Sequence, residues 1–564
     1  KQTNPTIAPY AKTGEVHLRI TAKAEDEKKC KEMIKPIVHE LKKRFGKDVF
    51  ATKEEKTLEE AVVDLLKEKN MTLSLAESCT GGAVAARIVN VPGASEALMC
   101  GFVTYTNRAK RKCLGVKKST LKNEGADLNL SNKGGNMTVG ANLSTDRNLA
   151  VTNNSSTGAL AFSGKATPAG TANFVNEGSG GMNITGAVSA PKARFINRGG
   201  KLTIANTSDK VAVDRIDIIN YGNGGMSLAG IKSENGIYAV NHKGDLIVDG
   251  HLTTGDDATI SLKNDVNGNK LGVSSNGNIE GLGKVSLKNQ GSGGLTIDGT
   301  VSNTNAANNA ETAIVNENGA MLVNGKINND GNMTIKNSGS GMQFTKNAVV
   351  TNEGQLKIKN YGADGMTIVG DINNTGNVTL YNDAGQVRLA TSSDGTKAGN
   401  ITNADGRLVI WSRNNSTGIS TASSSKIINN GNGNSLAIKH SGTTASGNRG
   451  LDLQGTITND GETAINNYSG NMYISGNISS EGNLGIINRA GAGSADFASA
   501  GTIQSDGNIN IKNYGSGDMT VRNTITNNGR LNVLANEGKL NLKGTVHNNS
   551  NGALDANNGF YAAA

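Results

Sequence analysis

The sequence predicts a mainly β protein, a parallel β-helix or solenoid of roughly 20 coils, preceded by a small α/β segment. Three observations predict it. The first is a recurring phrase: Gly331-Asn332-Met333-Thr334-Ile335-Lys336-Asn337, then Gly354-Gln355-Leu356-Lys357-Ile358-Lys359-Asn360, then Gly376-Asn377-Val378-Thr379-Leu380-Tyr381-Asn382, at offsets of 23 and 22 residues. The second is a shorter phrase riding between the copies: Gly181-Met182, Gly225-Met226, Gly294-Leu295, Gly341-Met342 and Gly365-Met366, at distances close to multiples of 22 to 24. The third is a break in composition near residue 126: all four cysteines precede it, and only 8 of the 74 glycines do.

Each observation has a physical reading. Apolar and polar residues alternate within the phrase, which is the period of a strand with one buried face. One coil of such strands cannot bury its apolar side alone, whereas stacked coils pair every strand with the next and join Met, Ile, Leu and Val into a continuous core. Gly and Asn suit the corners, where the backbone often needs positive φ. Asn at equivalent corners can also hydrogen-bond from coil to coil. At ~4.8 Å between strands, about 20 coils make a rod on the order of 100 Å long.

Charge divides at the same place. Residues 1–126 carry 24 Lys and Arg against 16 Asp and Glu; subtracting from totals of 57 and 48 leaves 33 against 32 for residues 127–564. The basic balance belongs to the first piece, so composition gives no reason to expect nucleic-acid binding by the rod. Unpatterned cysteines in an α/β segment suit a reducing cytoplasm, while a cysteine-free rod rich in Gly, Asn, Ser and Thr suits a secreted or cell-surface protein. No apolar run reaches 18 residues, so no transmembrane segment is expected. The chain opens on Lys1 without a signal-peptide pattern and closes on Phe560-Tyr561-Ala562-Ala563-Ala564 without a capping repeat; both ends are expected to be cut ends.

In chain order, Val16–Thr21 alternates as a strand, Glu25–Phe45 reads as an amphipathic helix with a kink at Pro36, and Asp48–Thr52 as a second strand. Thr57 with Glu60 forms a capping box opening a helix over residues 57–70. Thr72–Ala76 reads as a strand and Ala83–Val89 as a helix, with Glu77-Ser78-Cys79-Thr80-Gly81-Gly82 between them. A serine on such a turn stands at a helix N-terminus, whose free amides suit an oxyanion or phosphate. A Gly-rich turn of this kind is equally an ordinary structural turn. Phe102–Asn107 reads as a strand leading into the basic run Arg108–Lys112. A serine nucleophile needs a base, and no histidine lies between positions 40 and 241; Lys110, helped by the Tyr105 hydroxyl, is the candidate. His17 and His39 fit packing or surface roles.

These residues resemble a family. Asn4-Pro5-Thr6-Ile7-Ala8-Pro9-Tyr10-Ala11-Lys12 with Gly14–Ile20 looks like the KH-like middle domain of CinA, the competence/damage-inducible protein. Ala76–Gly82, Val91-Pro92-Gly93-Ala94-Ser95 and Val103–Asn107 with Lys110 look like the start of its nicotinamide-nucleotide amidohydrolase domain. The resemblance implies hydrolysis of nicotinamide mononucleotide to nicotinate mononucleotide and ammonia. It assigns Ser78 as nucleophile, Lys110 as base, Tyr105 as its helper, and Thr80, Gly81 and Gly82 to the substrate-binding turn, with no cofactor and no metal. Family members continue through a Ser-Gly-x-Ala-Gly-Pro stretch and a later arginine that complete the pocket. Here Thr120–Ala126 still resembles CinA, and solenoid begins at Asp127. The expected division is a KH-like domain over 1–55, a truncated amidohydrolase-like domain over 56–126 and the solenoid over 127–564, with no amidohydrolase activity and a fusion or assembly join near residue 126.

The Asn- and Gly-rich coils resemble filamentous-haemagglutinin and leukotoxin-like filamentous adhesins, which implies a secreted or surface filament with host-cell or bacterial surface ligands. Some β-helices are instead polysaccharide lyases or hydrolases with clustered carboxylates, but Asp and Glu here are scattered. His242, His251, His440 and His547 are isolated, and no calcium nonapeptide is present. Trp411 and the few tyrosines are expected not to form a regular aromatic platform.

Overall fold

A computed structural model describes residues 4–12, 15–52, 56–116, 127–205, 209–304, 310–413, 418–431, 433–444, 447–489, 491–549 and 554–558. Two compact units divide the chain at Gly125/Ala126. The stretch Thr120–Ala126 lies outside the described residues.

In the first unit, β1 (Thr6–Lys12) and β2 (Glu15–Thr21) form an antiparallel pair. The alternation of β2 was expected; β1, with two prolines around it and no clean alternation, was not. Next, α1 (Glu27–Phe45) starts at Asp26, whose side chain accepts from the Lys29 amide at 2.7 Å, and contains Pro36. The strand expected over Asp48–Thr52 is absent: α1 runs on into a single 3-10 turn over Gly46–Asp48 and irregular chain. The capping box forms as read, the Thr57 hydroxyl accepting from the Glu60 amide and Glu60 from the Thr57 amide, and starts α2 (Leu58–Glu68). Then come β3 (Leu73–Glu77), α3 (Ala83–Val89), β4 (Leu98–Val103) and α4 (Asn107–Leu114).

Strands β3 and β4 make a two-stranded parallel sheet with Glu77 beside Val103. The core behind it is small: Val63, Ile88, Val91 and Ala94, with Val62, Leu73 and Leu98 partly buried against them. Met99, Phe102, Val103, Val84 and Val89 remain exposed. Parallel sheets are ordinarily covered on both faces, and this one is not.

The second unit is the predicted parallel β-solenoid of about 20 turns. Each coil has three faces, as in the run Asn332–Asn337, Met342–Phe344, Val349–Asn352. Strands pair in parallel with their equivalents one coil on: Met333 beside Leu356, Met342 beside Met366, Val350 beside Ile372. Among the described residues the second face stacks 18 strands. Its methionines and leucines form one column, Met182–Leu202–Met226–Leu246 and onward, so the two-coil spacing of the Gly-Met phrases is literal. A single apolar core runs from Val139 to Ala535, thickened near its start by Phe162, Phe174 and Phe195 at 5.0 Å ring to ring.

Two columns of buried asparagines hold the corners. On the first face each Nδ2 donates to the next Oδ1 without interruption from Asn132 to Asn382, at 2.7–2.9 Å. On the third face the same bond links Asn329, Asn352, Asn374, Asn403, Asn429 and Asn459. A buried amide left unpaired costs about 1–3 kcal/mol, so each residue is satisfied only if its neighbours are also Asn or a close substitute. The glycine of the Gly-Met phrase is required at Gly365: φ is +78°, and a Cβ would stand 2.3 Å from the Gln386 carbonyl oxygen.

Candidate functional site

The turn after β3 is built as the sequence suggests, with a different occupant. Ser78, half-buried, follows the last residue of β3; Cys79 and Thr80 are exposed; Gly81 and Gly82 both have positive φ, +62° and +100°. At Gly82 a Cβ would also stand 3.1 Å from Val103 Cγ2, so the residue that caps α3 must be glycine to let β4 approach. The expectation of free amides at this helix N-terminus is corrected. Buried Glu77 turns its carboxylate back onto the helix and accepts from the amides of Gly82 at 3.1 Å, Val84 at 3.0 Å and Ala85 at 2.7 Å. Desolvation pushes its pKa up, but the Ala85 amide, the Thr80 hydroxyl and the amides of Val84 and Gly82 outweigh it and hold the carboxyl below the usual range. Three amides at the start of α3 thus bond this chain's own carboxylate. Glu77 stood in the quoted motif, but a strand-terminal Glu gives no sequence sign of folding back.

Because β3 and β4 are parallel and pair Glu77 with Val103 at their ends, Ser78 and Tyr105 emerge at the same carboxyl edge of the sheet, where open α/β sheets bind ligands. The strand expected to run through Asn107 stops at Val103, since the Thr106 hydroxyl accepts from the Ala109 amide at 3.2 Å and starts α4. Tyr105 is 71% exposed, and Lys110 lies half-buried in α4. Thr80, Gly81 and Gly82 shape the turn that Ser78 starts.

On the solenoid, an open groove crosses the early coils of the third face, and Asp146, Asp214, Glu234 and Lys232 are among its lining residues. Lys232 lies 3.7 Å from Glu234. Among the described residues no three of His, Cys, Asp and Glu could hold a metal ion. His242 stacks on Tyr221 at 4.5 Å and bonds Asp265 at 2.9 Å, and the His251 ring nitrogens lie 3.3 Å from Asp209 and 3.0 Å from Glu280. His440 is fully buried and takes a place in the first-face column that Asn holds elsewhere.

Three of the aromatic residues, Tyr361, Tyr381 and Trp411, meet in one local cluster. Register puts Lys359, Tyr381, Trp411 and Lys439 in one outward row. Tyr361 lies 5.7 Å from Tyr381, and Tyr381 5.2 Å from Trp411, ring to ring. Tyr381 and Trp411 are 30 residues apart in sequence because the loops of that coil are longer than usual, which hides their adjacency from a count at a period of 22 to 24.

The comparisons with known proteins bear on the first unit. A family profile described as the damage-inducible protein CinA KH domain matches residues 1–51, and one described as the CinA C-terminal domain matches residues 55–194. A CinA-like protein of Kosmotoga olearia is 53% identical over 125 residues, 22% of this chain and 30% of that protein. A CinA-like protein of Dictyoglomus turgidum is 50% identical over 125 residues, with the same shares. The chain spans about 30% of the length of these curated relatives. Among the described residues no helix is long and apolar enough to cross a membrane. CinA KH and CinA C-terminal domain sequence thus lies at the N-terminal end of the chain, and the second match runs on into residues 128–194, which fold as solenoid coils.

Proposed function

We propose that residues 127–564 act as a non-catalytic binding rod of a secreted or surface-tethered bacterial filament, of the filamentous-haemagglutinin or leukotoxin-like kind. Residues 1–126 form a KH-like domain (1–55) and an incomplete, inactive amidohydrolase-like domain (56–126), joined to the rod by a fusion or assembly event. The observation that carries the rod reading is the uninterrupted core from Val139 to Ala535: along most strands side chains alternate between that core and the outside, as in Asn332–Asn337, so the coils offer long outward rows for contact. For the first unit the support is the uncovered sheet and the Glu77 carboxylate seated on the α3 amides.

The alternative reading is a nicotinamide-nucleotide amidohydrolase with Ser78, Tyr105 and Lys110 as catalytic groups and Thr80, Gly81 and Gly82 in the substrate turn; it needs an oxyanion site that Glu77 does not leave. A polysaccharide-active rod is the second alternative, and the groove carrying Asp146, Asp214 and Glu234 is where it would act. The test has two arms. The whole chain is expected to release no ammonia from nicotinamide mononucleotide above blank, and residues 127–564 to bind bacterial or host-cell surfaces. Turnover abolished by Ser78→Ala would overturn the first statement, and failure to bind any surface the second. Reading source DNA across codons 120–135 tests the join.

A further inference from the structure

From the coil of Lys336 to that of Lys512 the first face carries three outward rows: one beginning at Thr334, one at Lys336 and one at Ser338. Together these rows hold Lys336, Lys357, Lys359, Arg413, Lys439, Arg489 and Lys512, seven cations, against one carboxylate, Asp383. That carboxylate already accepts from the Tyr381 hydroxyl at 2.8 Å and lies 3.8 Å from the Arg413 guanidinium. Over residues 127–564 the formal charge nearly cancels, 33 against 32, so a strip with an excess of six is a segregation of charge onto one face. Eight coils at ~4.8 Å make it about 35 Å long.

Three of the seven cations, Lys336, Lys439 and Arg489, lie over aromatic rings. Lys439 Nζ lies 4.9 Å from the centre of the Trp411 ring and 5.2 Å from that of Tyr468, with the Arg489 guanidinium 5.6 Å from Tyr468. Lys336 Nζ stands 5.3 Å over Tyr361. Trp411 is fixed in turn by its Nε1–H, which donates to Ser441 Oγ at 2.7 Å. Long cationic side chains ordinarily lose rotamer freedom when they bind; side chains already pinned over rings lose less.

We propose that this strip binds a linear anionic polysaccharide, one carrying carboxylate or sulfate groups along its length, lying parallel to the rod axis. Cations on six of the eight coils match a polymer better than a small anion, which a single coil would satisfy. Single-stranded nucleic acid recognition rests on open aromatic faces for the bases, and here the rings meet one another tilted or edge-on, or are capped by Lys439, Lys336 and Arg489. The inference rests on reading the solenoid as a binding rod and names the class of ligand it holds.

The test measures binding of the full chain to alginate (carboxylate arm), dextran sulfate (sulfate arm), neutral dextran and poly(dT) at two salt concentrations. At least one charged polysaccharide is expected to bind and neutral dextran not to, with affinity falling as salt rises. Lys439→Ala/Arg489→Ala is expected to weaken binding about tenfold, and the same charge change on the third face, Lys326→Ala/Lys426→Ala, less than about twofold. Tyr468→Leu keeps every charge and removes one pin; it is expected to cost about threefold. Circular dichroism checks that each variant keeps its β signal. Equal losses in the two double variants, tighter binding to poly(dT), a dimer that the strip variant dissolves, or no binding to either polyanion would overturn the inference. Binding to cells without binding to either polyanion leaves the rod reading standing and this inference refuted; strip-dependent polyanion binding without cell binding does the reverse.

Discussion

A coil of the solenoid and the α/β unit before it solve the same problem with opposite results. Each coil is incomplete alone, yet its neighbours supply the missing surface, so Ile335, Ile358 and Leu380 are all fully buried by the same three-way arrangement. The α/β unit has no neighbour of its own kind. Its parallel pair keeps Met99, Phe102 and Val103 exposed, and among the described residues its core cluster is small: Val63, Ile88, Val91 and Ala94, with Val62, Leu73 and Leu98 partly buried against it. A repeat can therefore be interrupted anywhere and remain locally whole, because stability is a sum over adjacent coils. A globular sheet cannot, because its strands share one core.

The comparison can be broken by core truncation in each region. Val63→Ala is expected to remove hydrogen-exchange protection from the whole of Leu58–Leu114, since one of four core side chains is lost. Ile335→Ala, costing about 2–5 kcal/mol, is expected to lower protection only in its own coil and those stacked on it, around Ile314 and Ile358. Protection lost along the entire rod after Ile335→Ala would refute the sum-of-coils picture.

A weak point within the rod sharpens it further. The first-face column passes from Asn382 through Ser412 and His440 to Asn467, and Ser412 Oγ, His440 Nδ1 and Asn467 Oδ1 are all buried without a hydrogen-bond partner. His440 Nε2 is placed for a hydrogen bond with Thr444 Oγ1 at 2.8 Å, and the ring fits because Gly418 and Gly450 leave room: a Cβ on either would lie 2.7–2.8 Å from it. Burial pushes its pKa down to about 4, against a partial opposing effect of the Ser412 backbone. The unfolded chain therefore binds a proton that the folded chain refuses. Stability of these coils is full above about pH 6.5 and falls as pH drops towards about 4, by about 3 kcal/mol in all. Exchange measured across that window is expected to show opening confined to coils around Ser412–Asn467, and His440→Asn to flatten the dependence by restoring the amide column. Uniform loss along the rod would place the pH sensitivity elsewhere.

The smallest effect concerns the turn at Ser78. Gly82→Ala forces an L residue to φ of +100° beside Val103 and is expected to cost about 1–2 kcal/mol, read as faster exchange in Ala83–Val89 with no change in the solenoid. An unchanged α3 would show that β4 yields there.

Much of this molecule was legible because repetition amplifies a weak signal. One copy of Gly-Asn-Met-Thr-Ile-Lys-Asn says little, but three at offsets of 22 and 23 define strand, corner and stacking at once, and the Asn corners do bond from coil to coil. The capping box at Thr57 and the strand–turn–helix around Ser78 were local enough to read directly. What escaped was long-range or depended on exact register. The strand Thr6–Lys12 exists only because Glu15–Thr21 pairs with it. Glu77 chooses the amides of α3 over solvent once the turn brings them within reach.

Sequence alone thus determined that the chain winds, how often, and which side chains face inward, because period and polarity are properties of the chain taken in order. Tertiary structure alone decided that Trp411, Lys439 and Tyr468 meet on one strip, that His440 stands in an asparagine's place, and that the Ser78 turn is filled by Glu77. These are distances across coils and turns of unequal length, and no count along the sequence contains them.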